Sequence, residues 1–224
     1  MGDAIGQVLP MAVGVAISPL PIIAVILMLV ARQARITGPA FVIGWLVGLA
    51  LIGVVVIGVL GGVGTTSGAP ATWVLWLELV LGLLLLLVAL RQFRSRPHDG
   101  ETAPTPKWMG AIDGFTPSKA LGAGALLSAL NPKNLLLAVG GAATIAAMPI
   151  PTNEQAIAYI VFALFATIGV ASPVVIYFAL GDRAPALLDR MKGWMSQNNA
   201  VIMTILCLII GVKLIGQAFG GLTS

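Results

Sequence analysis

The sequence is poor in charge. Only 9% of its 224 residues are charged, whereas 58% are hydrophobic and the mean hydropathy is +1.03. Soluble domains carry about 25% charged residues, so this composition excludes a soluble globular protein, a disordered chain and a nucleic-acid-binding protein. Because 12 Lys and Arg stand against 8 Asp and Glu, the position of the charges matters more than their sum.

Residues that carry redox or metal chemistry are scarce too. The single cysteine, Cys207, stands in an apolar run, and the single histidine, His98, stands in a polar segment with prolines. A lone cysteine forms no internal disulfide and no CxxC pair, so we expect Cys207 to pack as a small apolar side chain and His98 to be solvated. The sequence also lacks HExxH, a nucleotide-binding glycine loop and clustered intramembrane carboxylates. We therefore predict neither an enzyme nor a cofactor or metal.

Six long apolar segments make up most of the chain. A helix needs about 20 apolar residues to cross a hydrocarbon core of about 30 Å, and lipid cannot satisfy open backbone groups. The first segment begins with Asp3 and is too long for a cleaved signal peptide. We predict an all-α polytopic membrane protein with six transmembrane helices, at about 4–31, 38–61, 72–91, 117–148, 154–180 and 198–219.

Basic residues predict the orientation. Connections 62–71 and 149–153 contain no Lys or Arg, whereas the other three connections are rich in them. Those basic residues are Arg32, Arg35, Arg91, Arg94, Arg96, Lys107, Lys119, Arg183, Arg190 and Lys192. Since cytoplasmic loops carry an excess of Lys and Arg, we expect a plasma-membrane protein with both termini outside the cytoplasm.

The six helices divide into two groups of three. We assign 1–91 to a first three-helix repeat, 92–116 to a cytoplasmic loop and 117–224 to a second repeat. Three helices per half is an odd number, so the second repeat must be inverted. The loop is predicted to hold a helix lying on the membrane surface, with apolar residues at helical spacing: Trp108, Met109, Ile112 and Phe115.

Proline interrupts the first helix of each half. The interruptions are Ser18-Pro19-Leu20-Pro21 and Asn131-Pro132-Lys133-Asn134, and their prolines Pro19 and Pro132 are 113 residues apart (132 − 19). Proline frees the carbonyl four residues earlier, which predicts free carbonyls at Val15, Ile17 and Ser128. The simpler interpretation is that these prolines only kink packed helices.

Interrupted helices in inverted repeats are typical of transporter sites near the membrane midplane. We therefore expect the two interruptions to meet and to form a substrate site. A further interruption is predicted at Ser172-Pro173 in helix five, which would free the Gly169 carbonyl. The predicted substrate-binding residues are Ser18, Pro19, Pro21, Asn131, Pro132, Lys133, Asn134, Ser172 and Pro173.

Four charged residues are predicted to couple or gate transport. Lys133 lies deep in an apolar segment, at a cost of at least about 2.5–3.5 kcal/mol. It is suited to binding an anionic group or carrying a proton, and snorkelling to an interface is the structural alternative. Glu78 and Lys213 lie at matching depth in helices three and six. They are predicted to form an ion pair, and the alternative is that Glu78 couples proton movement to transport. Asp113 precedes helix four, as an interface charge or as a gate partner for Lys119 or Lys133.

Glycine is frequent, with 27 residues. Small residues in membrane helices let backbones approach closely. Five glycines predict close packing of helices two and four: Gly44, Gly48, Gly53, Gly122 and Gly124.

Two stretches of the sequence carry a family resemblance. The first is Val15-Ala16-Ile17-Ser18-Pro19-Leu20-Pro21-Ile22. The second combines Lys107-Trp108, Ile112-Asp113-Gly114-Phe115-Thr116-Pro117 and Ala129-Leu130-Asn131-Pro132-Lys133-Asn134-Leu135. They resemble the first-helix and second-half motifs of the GAP family, the peptidoglycolipid (glycopeptidolipid, sulfolipid-1) addressing proteins. The resemblance covers nearly the whole chain and implies the lysine exporter (LysE) superfamily, with its six-helix, three-plus-three inverted plan. It also implies export of envelope lipids across the plasma membrane of mycobacterial-type bacteria.

The residues and the resemblance leave three functions open. The first is a transporter or flippase that exports an envelope glycolipid or another amphipathic lipid. The second is a small-metabolite or amino-acid exporter of the LysE type, and the third is an accessory subunit of a larger lipid exporter. The expected partners are membrane lipids and an envelope glycolipid or small amphipathic substrate, and no nucleic acid is expected. A second copy of the chain and a larger lipid-export complex are further candidate partners. Because the sequence has no ATP site, a gradient or a partner must drive transport.

Overall fold

The protein is built from α-helices throughout the part of the chain that the structure describes. The computed structural model describes residues 1–60, 72–96 and 114–223. Its helices are α1 (Gly2–Ala16), α2 (Pro19–Val30), α3 (Ala34–Leu60), α4 (Thr72–Arg94), α5 (Pro117–Ala129), α6 (Pro132–Ala146), α7 (Thr152–Leu180) and α8 (Ala184–Leu222). The prediction of an all-α protein is confirmed.

Several of these helices are long and apolar enough to cross a membrane. α3, α4 and the stretch from α7 through α8 qualify, with hydropathies of 2.8, 2.6 and 2.2, and α1 with α2 qualifies as a pair bent by 51°. The described residues thus contain three such stretches, or four with the bent pair, where the sequence predicted six. Two features explain the difference. The stretch Thr152–Leu222 counts once although it holds two helices, and α5 and α6, with 13 and 15 residues, are each shorter than a span.

The chain reverses direction between α7 and α8. Glu154 at the start of α7 forms an ion pair of 3.6 Å with the amino group of Met1, and Lys213 near the end of α8 donates to the Gln7 carbonyl at 2.7 Å. The start of α7 and the end of α8 therefore both lie beside the start of α1, so the two helices run in opposite directions. Gly181 makes the turn with a φ of 51°, a conformation that glycine adopts without a steric penalty.

α8 is longer than the predicted sixth helix. It begins at Ala184 rather than near 198 and runs for 39 residues, about 58 Å at 1.5 Å per residue. Ala184, Leu188 and Met195 are buried at helical spacing, while Arg190 on the same segment is exposed. This amphipathic pattern lets the segment continue as a helix, so the predicted long connection between helices five and six is wrong.

The helix directions place both termini at one end of the bundle. α4 and α8 are antiparallel neighbours, since the Thr204 hydroxyl reaches the Ala89 carbonyl at 3.5 Å and Gly221 packs against Leu75. Basic residues of the connections lie toward the opposite end, where α2, α4 and α7 end: Arg32, Arg35, Arg91, Arg94, Arg183, Arg190 and Lys192. Charge is therefore segregated along the bundle axis.

Glycines set how closely the helices pack. Four of the five predicted glycines lie directly against a neighbouring helix: Gly44, Gly48, Gly53 and Gly124. A Cβ on Gly44 would overlap the Leu121 carbonyl, and one on Gly124 would overlap the Phe41 carbonyl. α3 and α5 thus touch backbone to backbone. For Gly122 the prediction is wrong, because no other helix of the described structure lies within 4 Å of the position that its Cβ would take.

The outer surface of the bundle is apolar. Val54, Val59 and Leu130 have exposed fractions of 72%, 68% and 66%. Extensive exposed apolar surface marks contact with a membrane or a partner. Together with the apolar helices, this is the surface of a membrane protein.

Candidate functional site

Both predicted helix interruptions are present. α1 ends at Ala16 and α2 begins at Pro19, while α5 ends at Ala129 and α6 begins at Pro132. Proline fits the first helical position and disfavours the helical conformation in the residue before it. Ser18 and Asn131, the residues before the two prolines, are accordingly extended.

Asn131 caps α6 and positions Lys133. Its side-chain Oδ1 accepts a hydrogen bond of 3.2 Å from the Lys133 backbone N–H. An asparagine at this position satisfies one of the unpaired N–H groups at a helix start. The cap fixes the first turn of α6 and therefore the direction in which the Lys133 side chain leaves it.

The Lys133 side chain joins the two interruptions. Its Nζ donates to the Gly14 carbonyl at 2.7 Å and to the Ile17 carbonyl at 3.2 Å. Both carbonyls lie at the C-terminal end of α1, where the helix dipole favours a cation. The prediction of a free Ile17 carbonyl, and of interruptions that meet, is confirmed. Gly14 was not predicted, because its place at the end of α1 depends on where that helix stops.

Lys133 is held in the protein interior. Its exposed fraction is 1%, so the alternative of snorkelling to an interface is wrong. Within the described segments no carboxylate forms an ion pair with it. Cys207 on α8 lies near enough for an electrostatic interaction and is itself buried, as predicted. Among the described residues, backbone dipoles thus take the place of a counterion for Lys133.

Asn134 and Ser18 add polar groups beside this contact. Asn134 donates through Nδ2 to the Leu127 carbonyl at 3.2 Å, while its Oδ1 is buried without a hydrogen-bond partner in the described structure. Ser18 is 1% exposed. Buried polar groups without partners cost free energy, so the unpaired Oδ1 marks a place where a donor is missing.

The prolines shape the interruptions in different surroundings. Pro19 and Pro21 are buried, whereas Pro132 is exposed. Their contribution is to end or begin a helix and to remove an N–H.

The predicted interruption at Ser172-Pro173 is wrong. α7 runs without a break from Thr152 to Leu180 with Pro173 inside it. The carbonyl of Gly169, which Pro173 leaves without its helical donor, accepts a hydrogen bond of 3.0 Å from the Ser172 hydroxyl. A side-chain donor can replace the missing N–H in a membrane helix. This part of α7 nevertheless contacts the first interruption, because Gly169 packs against the Ala16 carbonyl at the end of α1.

Glu78 and Lys213 do not form the predicted ion pair. In the described residues no Glu78 oxygen lies within 4.0 Å of the Lys213 ammonium, although the two charges interact at longer range. Glu78 is 6% exposed and lies 3.2 Å from the Thr144 hydroxyl, while Lys213 donates to the Gln7 carbonyl. Each charge has a neutral partner on another helix.

Three predictions fall on residues outside those that the structure describes. They concern the gating residue Asp113, the solvated His98 and the surface helix, of which only Phe115 is described.

A cavity near the two termini was missed in the sequence. It has a volume of about 430 Å³ and takes polar side chains from four helices: Gln7, Glu78, Thr144 and Gln217. The sequence feature that could have indicated it is the presence of two amide side chains, Gln7 and Gln217, inside predicted membrane spans. Because the sequence does not place Gln7 beside Gln217, the two could not be linked without the tertiary structure.

The fold and these contacts define a class: a helical membrane protein in which interrupted helices bring buried polar groups together. The chain belongs to the SfLAP family, described as Sap, sulfolipid-1-addressing protein, whose family model matches residues 8–220. The resemblance to the sulfolipid-addressing proteins is thereby confirmed. The matched stretch contains both interruptions and Lys133. Comparison with curated proteins and with solved structures gave no match.

Proposed function

We propose that the protein moves an anionic amphipathic envelope lipid across the plasma membrane, with its site at the two helix interruptions. Membership of the SfLAP family indicates a part in sulfolipid-1 addressing or export. The observation that carries the proposal is that the buried Lys133 side chain donates to the carbonyls of Gly14 and Ile17. A sulfated headgroup is an anion, and Lys133 is a buried cation that pairs with no carboxylate among the described residues.

The contact of Lys133 is suited to an exchange of partners. A buried ammonium must keep hydrogen-bond acceptors, because an unpaired buried charge is costly. An anionic oxygen is a stronger acceptor than a carbonyl, since charge-assisted hydrogen bonds are about twice as strong. In our proposal the headgroup displaces Gly14 and Ile17, α1 separates from α6, and the site opens. Proton exchange at Lys133 is a second way to drive the same step.

Helix packing supports the proposed inverted repeat of six crossings. In this arrangement α1–α2 and α5–α6 are two interrupted crossings in equivalent positions. α3 packs along α5 through Gly44 and Gly124, and its counterpart α7 packs along α1 through Gly169. α4 and α8, the last helices of the two repeats, are antiparallel neighbours, as a two-fold axis in the membrane plane requires.

The proposed orientation follows from the segregated charge. The end of the bundle that carries basic connections would face the cytoplasm. The end with both termini and the cavity lined by Glu78 would then face outward.

Reconstitution tests the proposed transport. Purified protein in liposomes is supplied with a fluorescent sulfated glycolipid, and movement between leaflets is followed with and without a proton gradient. We expect the native protein to move the lipid. We expect the Lys133→Met variant to move it at a rate at least about tenfold lower. The matched control is Lys119→Met, an exposed lysine at the start of α5, which should retain the native rate.

The other outcomes separate the rival functions. Lipid movement that survives Lys133→Met would remove Lys133 from the mechanism. Absence of lipid movement under every gradient would overturn transport by the protein alone. Solute movement without lipid movement would then identify a small-metabolite exporter, and co-purification of a large exporter would identify an accessory subunit.

A further inference from the structure

The cavity near the termini has the features of a binding site separate from Lys133. Its volume of about 430 Å³ falls in the range of small-molecule pockets. Gln7, Glu78, Thr144 and Gln217 supply polar groups, and an apolar wall completes it: Val74, Leu75, Ala147, Met148 and Pro149. A few convergent polar groups in an apolar wall are the usual composition of a ligand site.

The polar groups of this cavity have unused hydrogen-bonding capacity. The Gln217 Oε1 is buried without a partner in the described structure. The Thr144 hydroxyl has one proton, and it lies 2.9 Å from the Gly140 carbonyl as well as 3.2 Å from Glu78 Oε1. Glu78, a buried carboxylate that can accept several hydrogen bonds, thus receives at most a shared one from Thr144. In the described structure the Gln217 Oε1 therefore lacks a donor, and Glu78 can accept more hydrogen bonds than it receives.

Hydrogen-bond donors are available beside the cavity, on α8. Lys213 lies one helical turn from Gln217 on α8, and an ammonium has three N–H donors. One of them is used by the Gln7 carbonyl at 2.7 Å. The same region therefore offers unfilled acceptors and spare donors.

The charges beside the cavity disfavour a ligand with a net charge. Glu78 would repel an anion and Lys213 would repel a cation, and the two formal charges cancel. A hydroxyl group both donates and accepts, so a group with several hydroxyls can satisfy Glu78, Gln217 and Lys213 together. The apolar wall at Met148 and Pro149 suits the carbon face of a ring.

We propose that this cavity binds a neutral, hydroxyl-rich headgroup of the size of one or two sugar rings. The polar side chains that line the site are Gln7, Glu78, Thr144 and Gln217, and Lys213 lies beside it on the Gln7 carbonyl. The proposal rests on the lining of the cavity and stands independently of transport through Lys133.

Photolabelling tests the site. The protein is placed in phosphatidylcholine nanodiscs and labelled with a decyl glucoside that carries a photoreactive group on its sugar. Peptides containing Met148 and Gln217 are then quantified by mass spectrometry. Three competitors share one chain and differ in the headgroup: decyl maltoside, decyl sulfate and decyltrimethylammonium. We expect labelling of these peptides, with decyl maltoside competing at least about tenfold better than the two charged amphiphiles.

Two variants and one control locate the binding. Glu78→Gln keeps the shape and removes the charge-assisted hydrogen bond, so we expect about tenfold weaker binding. Gln217→Leu removes the amide and should weaken binding similarly, and it carries the test if Glu78→Gln does not fold. The matched control is Glu154→Gln, a half-buried carboxylate at the same end of the bundle that pairs with the Met1 amino group, which should bind as the native protein does.

Several results would overturn the proposal. Equal competition by all three amphiphiles would show that the alkyl chain alone binds. A preference for either charged headgroup would contradict a neutral ligand, and labelling unchanged in both variants would place the sugar elsewhere. Because a nanodisc has no second compartment, binding is measured apart from transport, and failure of one is distinguishable from failure of the other.

Discussion

The Lys133 Nζ donates a hydrogen bond of 2.7 Å to the Gly14 carbonyl, across 119 residues of sequence. The lysine belongs to the first turn of α6 and the carbonyl to the last turn of α1, so one side chain connects the two interrupted helices. The ammonium stands where the dipole of α1 is negative. The contact therefore favours association of the two helices and gives a ligand one defined interaction to displace.

The first prediction concerns the stabilising effect of this contact. Lys133→Met leaves the buried Gly14 carbonyl without its donor, at about 1–3 kcal/mol, and the partly buried Ile17 carbonyl at a smaller cost. Relief of charge burial offsets part of this cost. We expect the free energy of unfolding to fall by about 2 kcal/mol, measured by denaturant unfolding in mixed micelles. Lys119→Met should change it by less than about 0.5 kcal/mol. Equal stability of the two variants would show that the contact contributes nothing.

The second prediction uses Cys207 as a reporter. It is the single cysteine of the chain, is 1% exposed and lies close to Lys133. If an anionic headgroup displaces the carbonyls from Lys133, α1 and α6 separate and the thiol becomes accessible. We expect decyl sulfate in nanodiscs to speed the reaction of Cys207 with a maleimide at least about tenfold, equivalent to 1.4 kcal/mol of opening.

The control for the Cys207 experiment is decyl maltoside, which lacks the charge and should leave the rate unchanged. Acceleration by both amphiphiles would indicate general loosening of the bundle. A rate that decyl sulfate does not change would argue against opening at Lys133.

The third prediction compares two glycines of one helix. Gly124→Ala places a Cβ against the Phe41 carbonyl, whereas Gly122→Ala meets open space. We expect Gly124→Ala to destabilise the protein by about 1–3 kcal/mol, the usual cost of overpacking. Gly122→Ala should stabilise it by about 0.5–1 kcal/mol, because alanine is the better helix former. Thermal unfolding of the two purified variants measures the difference, and the reverse order of stability would contradict this packing of α3 on α5.

The fourth prediction concerns a hydrogen bond between α7 and α3. The Tyr159 hydroxyl donates to the Leu49 carbonyl at 2.8 Å in the buried interior. Tyr159→Phe should cost about 1 kcal/mol, the net value of a typical intramolecular hydrogen bond. Tyr177→Phe is the matched control, since the Tyr177 hydroxyl makes no hydrogen bond within the described residues. Equal unfolding temperatures for the two variants would show that the Tyr159 bond is not stabilising.

Local rules account for the parts of the fold that the sequence predicted well. Pro19 and Pro132 each disfavour a helical residue before them, so the interruptions could be placed without any tertiary information. The same rule failed at Pro173, because the Ser172 hydroxyl replaces the lost donor and α7 continues. Whether a proline breaks a membrane helix thus depends on what its neighbours can donate.

The sequence by itself determined an all-helical chain with apolar helices, the positions of the two interruptions and the burial of Lys133. Steric restriction by proline and the cost of exposing polar groups to lipid act within a few residues, so a sequence displays them. The tertiary structure alone decided that Lys133 reaches Gly14 and that Glu78 stays apart from Lys213. These distances join residues more than 100 positions apart, and they follow from how glycine contacts set the register and separation of the packed helices.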